Sequence, residues 1–129
     1  MRKLTKKSLT KKLDILCSEL VRKRGKCQRC GRTQYLQAAH IFGRRYRVLR
    51  WNPLNILCLC YPCHFIFAHQ NPVEFVEWVR ELIGEDNYQE LRKIARSNIK
   101  FSLSDMEAMY NELTRTKYET PNYSEIADD

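Results

Sequence analysis

Apolar residues recur at near-helical spacing through the first part of the chain, at Leu9, Leu13, Leu16, Leu20 and Val21, between lysines and arginines. That stripe predicts an amphipathic helix over residues 5–23. Thr5, Ser8 and Thr10 each offer a cap, and Gly25 offers a stop. Cys17 falls near the apolar face and reads as a buried small hydrophobe. Residues 26–60 change character, with short apolar runs broken by turn residues. Tyr35 to Ile41 reads as a strand, Trp51-Asn52-Pro53 as a turn, and Asn55 to Cys60 as a strand or bend. Cys63 to His69 reads as the start of a short helix. The helical period then returns. Asn71-Pro72-Val73-Glu74 has a cap residue, a proline at the first helical position and a glutamate to complete a capping box. Phe75, Trp78, Val79 and Leu82 follow on one face, and Gly84 ends it. Asp86 to Gln89 opens another helix through about Ala95. Ser104 and Glu107 open a third, with Met106, Met109, Tyr110 and Leu113 on one face. A polar tail from Lys117, with Pro121 and the acidic end Asp128-Asp129, reads as mobile.

This order predicts an α+β chain in four stretches. They are a helix in 1–25, an irregular core in 26–70, helices in 71–116 and a tail in 117–129. At 129 residues the chain has the size of one domain. No apolar run reaches the roughly 18 residues that span a bilayer. No apolar segment follows the basic start Met1-Arg2-Lys3, so the expectation is a cytoplasmic protein with no membrane partner.

Charge changes the picture more than length does. The chain carries a net charge of +8, but residues 1–50 hold sixteen Lys/Arg against Asp14 and Glu19 alone. Residues 51–129 hold seven Lys/Arg against thirteen acids. A basic half of this strength reads as a surface for a polyanion, most simply nucleic acid.

Four of the six cysteines form two pairs, Cys27-x-x-Cys30 and Cys60-x-x-Cys63, separated by 29 residues. Each turn can aim two thiolates at one ion, and two turns complete the tetrahedral sulfur shell of a structural Zn²⁺. Cys58 shares a strand side with Cys60 and could replace it, but only Cys60 is correctly spaced from Cys63. A four-thiolate zinc has no open position, so any chemistry must come from the insert between the pairs.

All three histidines lie in or beside that insert. The order along the chain is Cys27-x-x-Cys30, His40, Asn55, Cys60-x-x-Cys63-His64, with His69 following. Residues 27 to about 69 resemble the zinc-bearing HNH, or ββα-metal, nucleases. The resemblance implies a ββα-metal core, with His40 as the general base, Asn55 as the residue that orients the hairpin and His40, and His64 as a ligand of a catalytic Mg²⁺ or Mn²⁺. The residue before the catalytic histidine departs from the family pattern. Most members place an aspartate or histidine there, and this chain has Ala39. Gln37 and His69 are the candidates to complete the ion's shell. Arg44, Arg45, Arg47 and Arg50 in the adjacent loop would hold DNA phosphates.

More loosely, Ala38-Ala39-His40, Trp51-Asn52-Pro53-Leu54-Asn55 and Gly84-Glu85 resemble the NinG/Rap phage recombination endonucleases. That likeness implies a phage or prophage origin and branched DNA, such as Holliday junctions, as substrate. Cutting both strands of a junction suggests a homodimer, for which the Met106/Met109/Tyr110/Leu113 face is a candidate. Two other readings compete. One is a zinc-stabilised DNA-binding module without catalysis, which Ala39 favours. The other is a homing-type site-specific nicking endonuclease.

Overall fold

The computed structural model describes residues 4–115 and 119–127. Its elements run α1 (Lys6–Arg22), β1 (Leu36–His40), 3₁₀ turns at Arg47–Leu49 and Pro53–Asn55, then β2 (Ile56–Cys60). A π-helix (Pro62–Ala68), α2 (Pro72–Ile83), α3 (Glu85–Ala95), α4 (Leu103–Arg115) and α5 (Tyr123–Ala127) follow. This is a mixed helical chain around one two-stranded antiparallel sheet. The expected α+β class stands at that level.

Thr5 and Ser8 close a reciprocal capping box at the start of α1. The helix buries Leu9, Leu13, Cys17 and Val21, a strict i, i+4 row. Leu16 and Leu20, placed in the stripe from the sequence, lie at its half-exposed edges.

The strands pair with Leu36 opposite Cys60 and His40 opposite Ile56. All five residues of β2 are buried, because both faces of the hairpin are covered. On one side Leu57 and Leu59 meet Leu49, Phe75, Val79, Ile83 and Leu91. On the other, Ile56 and Cys58 meet the α1 row, Trp51 and Met106. The α4 stripe considered for a dimer is therefore spent on the chain's own core. Met106 is buried, and Met109, Tyr110 and Leu113 pack beside it.

Gly84 joins α2 to α3 with φ +89°, a backbone conformation open to glycine and strained for other residues. It allows α3 to begin at Glu85. Two caps differ from the sequence expectation. Asn71 makes no side-chain cap, and its Nδ2 instead donates to the Ile66 carbonyl at 3.2 Å, which ties α2 back to the π-helix. The box before α4 is Ser102 with Asp105, two residues earlier than Ser104 with Glu107. Backbone N–H groups donate to Asp105 Oδ2 at 2.8 Å and to Ser102 Oγ at 3.0 Å.

Residues 117, 118, 128 and 129 of the expected tail lie outside the described residues. Within the tail, Tyr123 is docked. Its hydroxyl accepts from Gln28 Nε2 at 2.9 Å, and its carbonyl accepts from Asn87 Nδ2 at 2.8 Å.

Candidate active site and metal centre

The sulfur atoms of Cys27, Cys30, Cys60 and Cys63 all lie within 4.8 Å of one another. A tetrahedral zinc with Zn–S bonds of about 2.3 Å needs sulfurs about 3.8 Å apart, and the Cys30–Cys60 pair stands at 3.5 Å. Burial would raise the Cys27 thiol. Backbone hydrogen bonds from Cys30, Cys60 and Arg29 overcome this and bring it down to about 6. Burial pushes Cys63 up to about 12 and raises Cys60 as well, so these two thiols hold their protons until a cation replaces them. Arg29 adds positive charge. It donates to Cys63 Sγ at 3.5 Å and lies 3.6 Å above the Phe67 ring. The donor set and spacing fit a structural zinc. Cys58 belongs to the opposite core, where burial pushes its thiol up to about 11.

The first knuckle is fastened to β2 by Gln28. Its backbone N–H donates to the Cys58 carbonyl at 2.8 Å, and its Oε1 accepts from the Cys58 N–H at 2.8 Å. The sulfur cluster and the hairpin are thus one mechanical unit.

Against the hairpin lies a cleft of about 270 Å³ whose lining includes Gln37, His40, Arg44, Arg50 and His64. His40 closes β1, and its Nε2 is 2.9 Å from the Arg50 carbonyl. A carbonyl only accepts, so Nε2 carries the proton and Nδ1 keeps the lone pair. Burial holds the His40 pKa below the ordinary 6.5, with the Arg44 charge acting in the same direction against the hydrogen bond to Arg50.

The carbonyl that fixes His40 is itself fixed from two directions. Arg50 Nε and Nη2 donate to Asp14 at 2.9 and 2.6 Å, and Trp51 Nε1 donates to the same carboxylate at 2.9 Å. Burial would raise the Asp14 pKa, but these two donors hold it below the usual carboxylate value. From the other side, fully buried Asn55 holds the loop after β1. Its Oδ1 accepts from the Phe42 N–H at 2.8 Å, and its Nδ2 donates to the Phe42 and Leu49 carbonyls at 2.9 and 3.0 Å. Asn55 therefore positions the Arg50 turn, and its side-chain hydrogen bonds go to Phe42 and Leu49, not to the His40 ring.

His64 faces the same cleft. Its Nδ1 lies 2.8 Å from Gln37 Oε1, an acceptor, so Nδ1–H donates and Nε2 keeps the lone pair. Gln37, expected as a metal ligand, spends its oxygen on orienting His64, the usual service of a neighbour to a metal-binding imidazole. Burial, with His69 and His40 close by, pushes the His64 pKa down to about 4. A pKa that low leaves the ring neutral at pH 7.

His69 lies five residues after His64, one more than an α-helix stacks. The intervening segment is a π-helix, and the His69 N–H bonds to the His64 carbonyl in the i→i+5 pattern. The two rings consequently meet edge-on, with centroids 4.6 Å apart. The π-helix thus brings His64 and His69 together, and His64 shares its cleft with His40. Ala39 is buried in the apolar core and offers no ligand atom. Among the described residues, the four cysteines are the only group of three or more Cys, His, Asp or Glu close enough to share an ion.

The four arginines of the loop have separate roles. Arg44 lines the cleft. Arg45 lies over the Tyr46 ring and bonds its hydroxyl at 2.8 Å. Arg47 donates to Thr10 Oγ1 at 2.9 Å and lines a second groove with Lys6, Lys7 and Lys100. Arg50 is tied to Asp14, and its carbonyl holds the His40 ring. Asp14 escaped the sequence reading, although it is one of only two acids in the first fifty residues. No helix among the described residues is long and apolar enough to cross a membrane. Comparisons with known protein families, with curated proteins and with solved structures found no match for this chain.

Proposed function

We propose that this chain is a divalent-metal-dependent DNA endonuclease that hydrolyses phosphodiester bonds, with branched recombination intermediates as its substrate. One observation carries the reading. Two imidazoles line one cleft, and each has one N–H committed to a protein acceptor. Each is thereby locked in a single tautomer with one lone pair to use. His40 Nδ1 is suited to take a proton from water as it attacks phosphorus, because burial keeps it neutral. His64, oriented by Gln37, and His69, brought beside it by the π-turn, are suited to hold the ion. A divalent cation there would supply positive charge to the phosphate oxygens and to the departing oxygen. Two imidazoles leave most of the shell to water and to the scissile phosphate, so the ion should bind tightly only with DNA. Arg44 in the cleft, and Lys6, Lys7, Arg47 and Lys100 in the neighbouring groove, offer the phosphate contacts.

Ala39 favours a second reading, a zinc-stabilised DNA-binding module that has no catalytic ion. Incubation with supercoiled plasmid and with a synthetic four-way junction, with and without Mg²⁺ or Mn²⁺, separates the two. Ion-dependent nicking, faster on the junction, is the expected result. Retained zinc and DNA binding with no cutting under any ion would establish the binding module. A single cut position set by sequence would point to the homing type.

A further inference from the structure

Among the described residues, the exposed aromatic side chains are gathered at one end of the hairpin. Tyr35, Tyr61 and Phe65 are 72%, 50% and 40% exposed. Leu36 pairs with Cys60, so Tyr35 and Tyr61 are the next residues outward on the two strands. Together with Arg32, Leu36, Gln37 and Pro62 they line a groove of about 460 Å³. The Tyr61 and Phe65 rings lie 5.0 Å apart and are tilted by 32°. Phe65 continues the row to His64 and His69 at 4.9 and 5.1 Å. Leu36 and Gln37 line both this groove and the histidine cleft. The aromatic row therefore runs from the hairpin end to the candidate reacting centre.

Backbone geometry adds an independent observation. Tyr35 has φ +57°, the only positive φ of a non-glycine among the described residues. A left-handed backbone is costly for a bulky residue, whereas glycine or asparagine adopts it readily. The ring gains little burial in return. Strain that holds an aromatic ring out in solvent points to a partner from outside the chain.

Exposed rings beside a guanidinium make a platform for another flat ring, with a cation for the attached phosphate. In a continuous duplex each base already has both faces covered by its neighbours. We propose that Tyr35, Tyr61 and Phe65 stack the unpaired bases of a DNA strand, with Arg32 on its backbone. The substrate then carries a single-stranded or unstacked segment next to the cut. The position of the cut rests on the endonuclease reading; the stacking does not.

The test uses the full chain with no added divalent ion. The probes are a duplex and the same duplex interrupted by a short gap, each carrying 2-aminopurine, in the gap for the second. Quenching of the gap fluorophore on binding is expected, with no quenching in the duplex. Tyr61→Leu and Tyr35→Asn should each lower affinity for gapped DNA by at least about fivefold. Duplex affinity should change less than about twofold, since duplex contacts come from the basic grooves. Tyr35→Asn should also raise Tm, because asparagine relieves the left-handed strain. That gain marks the variant as folded. Gap affinity equal to wild type in both variants would overturn the proposal. So would concentration-dependent dimerisation abolished by Tyr61→Leu, which would make the row a self-association face. Cleavage is read separately with Mg²⁺ or Mn²⁺. Quenching without cutting would sink the endonuclease reading and support the stacking row. Cutting with no quenching would sink the row alone.

Discussion

At the scale of single residues, the site depends on which nitrogen of each histidine carries a proton. The Arg50 carbonyl settles this for His40, and Gln37 Oε1 settles it for His64. Burial lowers the His40 pKa below 6.5, so the neutral base persists to lower pH than a free histidine would allow. Activity should therefore be flat above pH ~6.5 and fall only below it. Single-turnover rates from pH 4.5 to 8 check this, and an acid limb centred at pH 7 or above would contradict it. Asn55 is the second test at this scale. Its amide donates to two carbonyls while its oxygen accepts from Phe42. Asn55→Asp keeps the acceptor but sets a carboxylate against both carbonyls in a fully buried site. Denaturant melts should show a loss of about 3 kcal/mol or more. The part of this network nearest in sequence was legible, since His40, Asn55 and His64 stand out by type and order. Asp14 was not, because its pairing with Arg50 spans 36 residues and no local pattern encodes it.

At the scale of elements, the π-helix decides what His69 can do. In an α-helix a five-residue spacing would carry His69 off the face of His64. The i→i+5 hydrogen bond restores the alignment. Helical period in α1, α2 and α4 was legible because each repeats over several turns against a core. The π-helix was not, because it is a seven-residue segment that includes Cys63 of the sulfur cluster and buried Ala68. The docked Tyr123 was missed for a similar reason, since its partners Gln28 and Asn87 are remote in sequence. His69 is exposed, so His69→Ala should leave Tm nearly unchanged, within about 0.5 kcal/mol of stability. It should lower cleavage at limiting Mn²⁺ at least about tenfold, with partial recovery at high Mn²⁺. Unchanged metal dependence would remove His69 from the ion's shell.

At the scale of the molecule, the hairpin and the sulfur cluster form one frame with helices on both sides. The cysteine spacing made this frame the most legible feature of the sequence, because four thiolates at two x-x intervals have few other uses. The structure also separates Cys58 from Cys60, which strand alternation alone could not do. Cys60→Ser should lose the bound zinc and most of the cooperative thermal transition. Cys58→Ala should keep one zinc per chain and cost about 1–2 kcal/mol. Metal analysis of the purified variants with thermal melts checks both, and zinc retained by Cys60→Ser would overturn the ligand set.

The most direct test of the whole reading compares the wild-type chain with His40→Ala on supercoiled plasmid in Mn²⁺, with zinc content and circular dichroism measured on the same samples. The account predicts equal zinc, equal helicity and nicking by the wild type that falls by about a hundredfold or more in the variant. Equal nicking by the two proteins would show that His40 is not the base, and the cleft would lose its claim to be the active site.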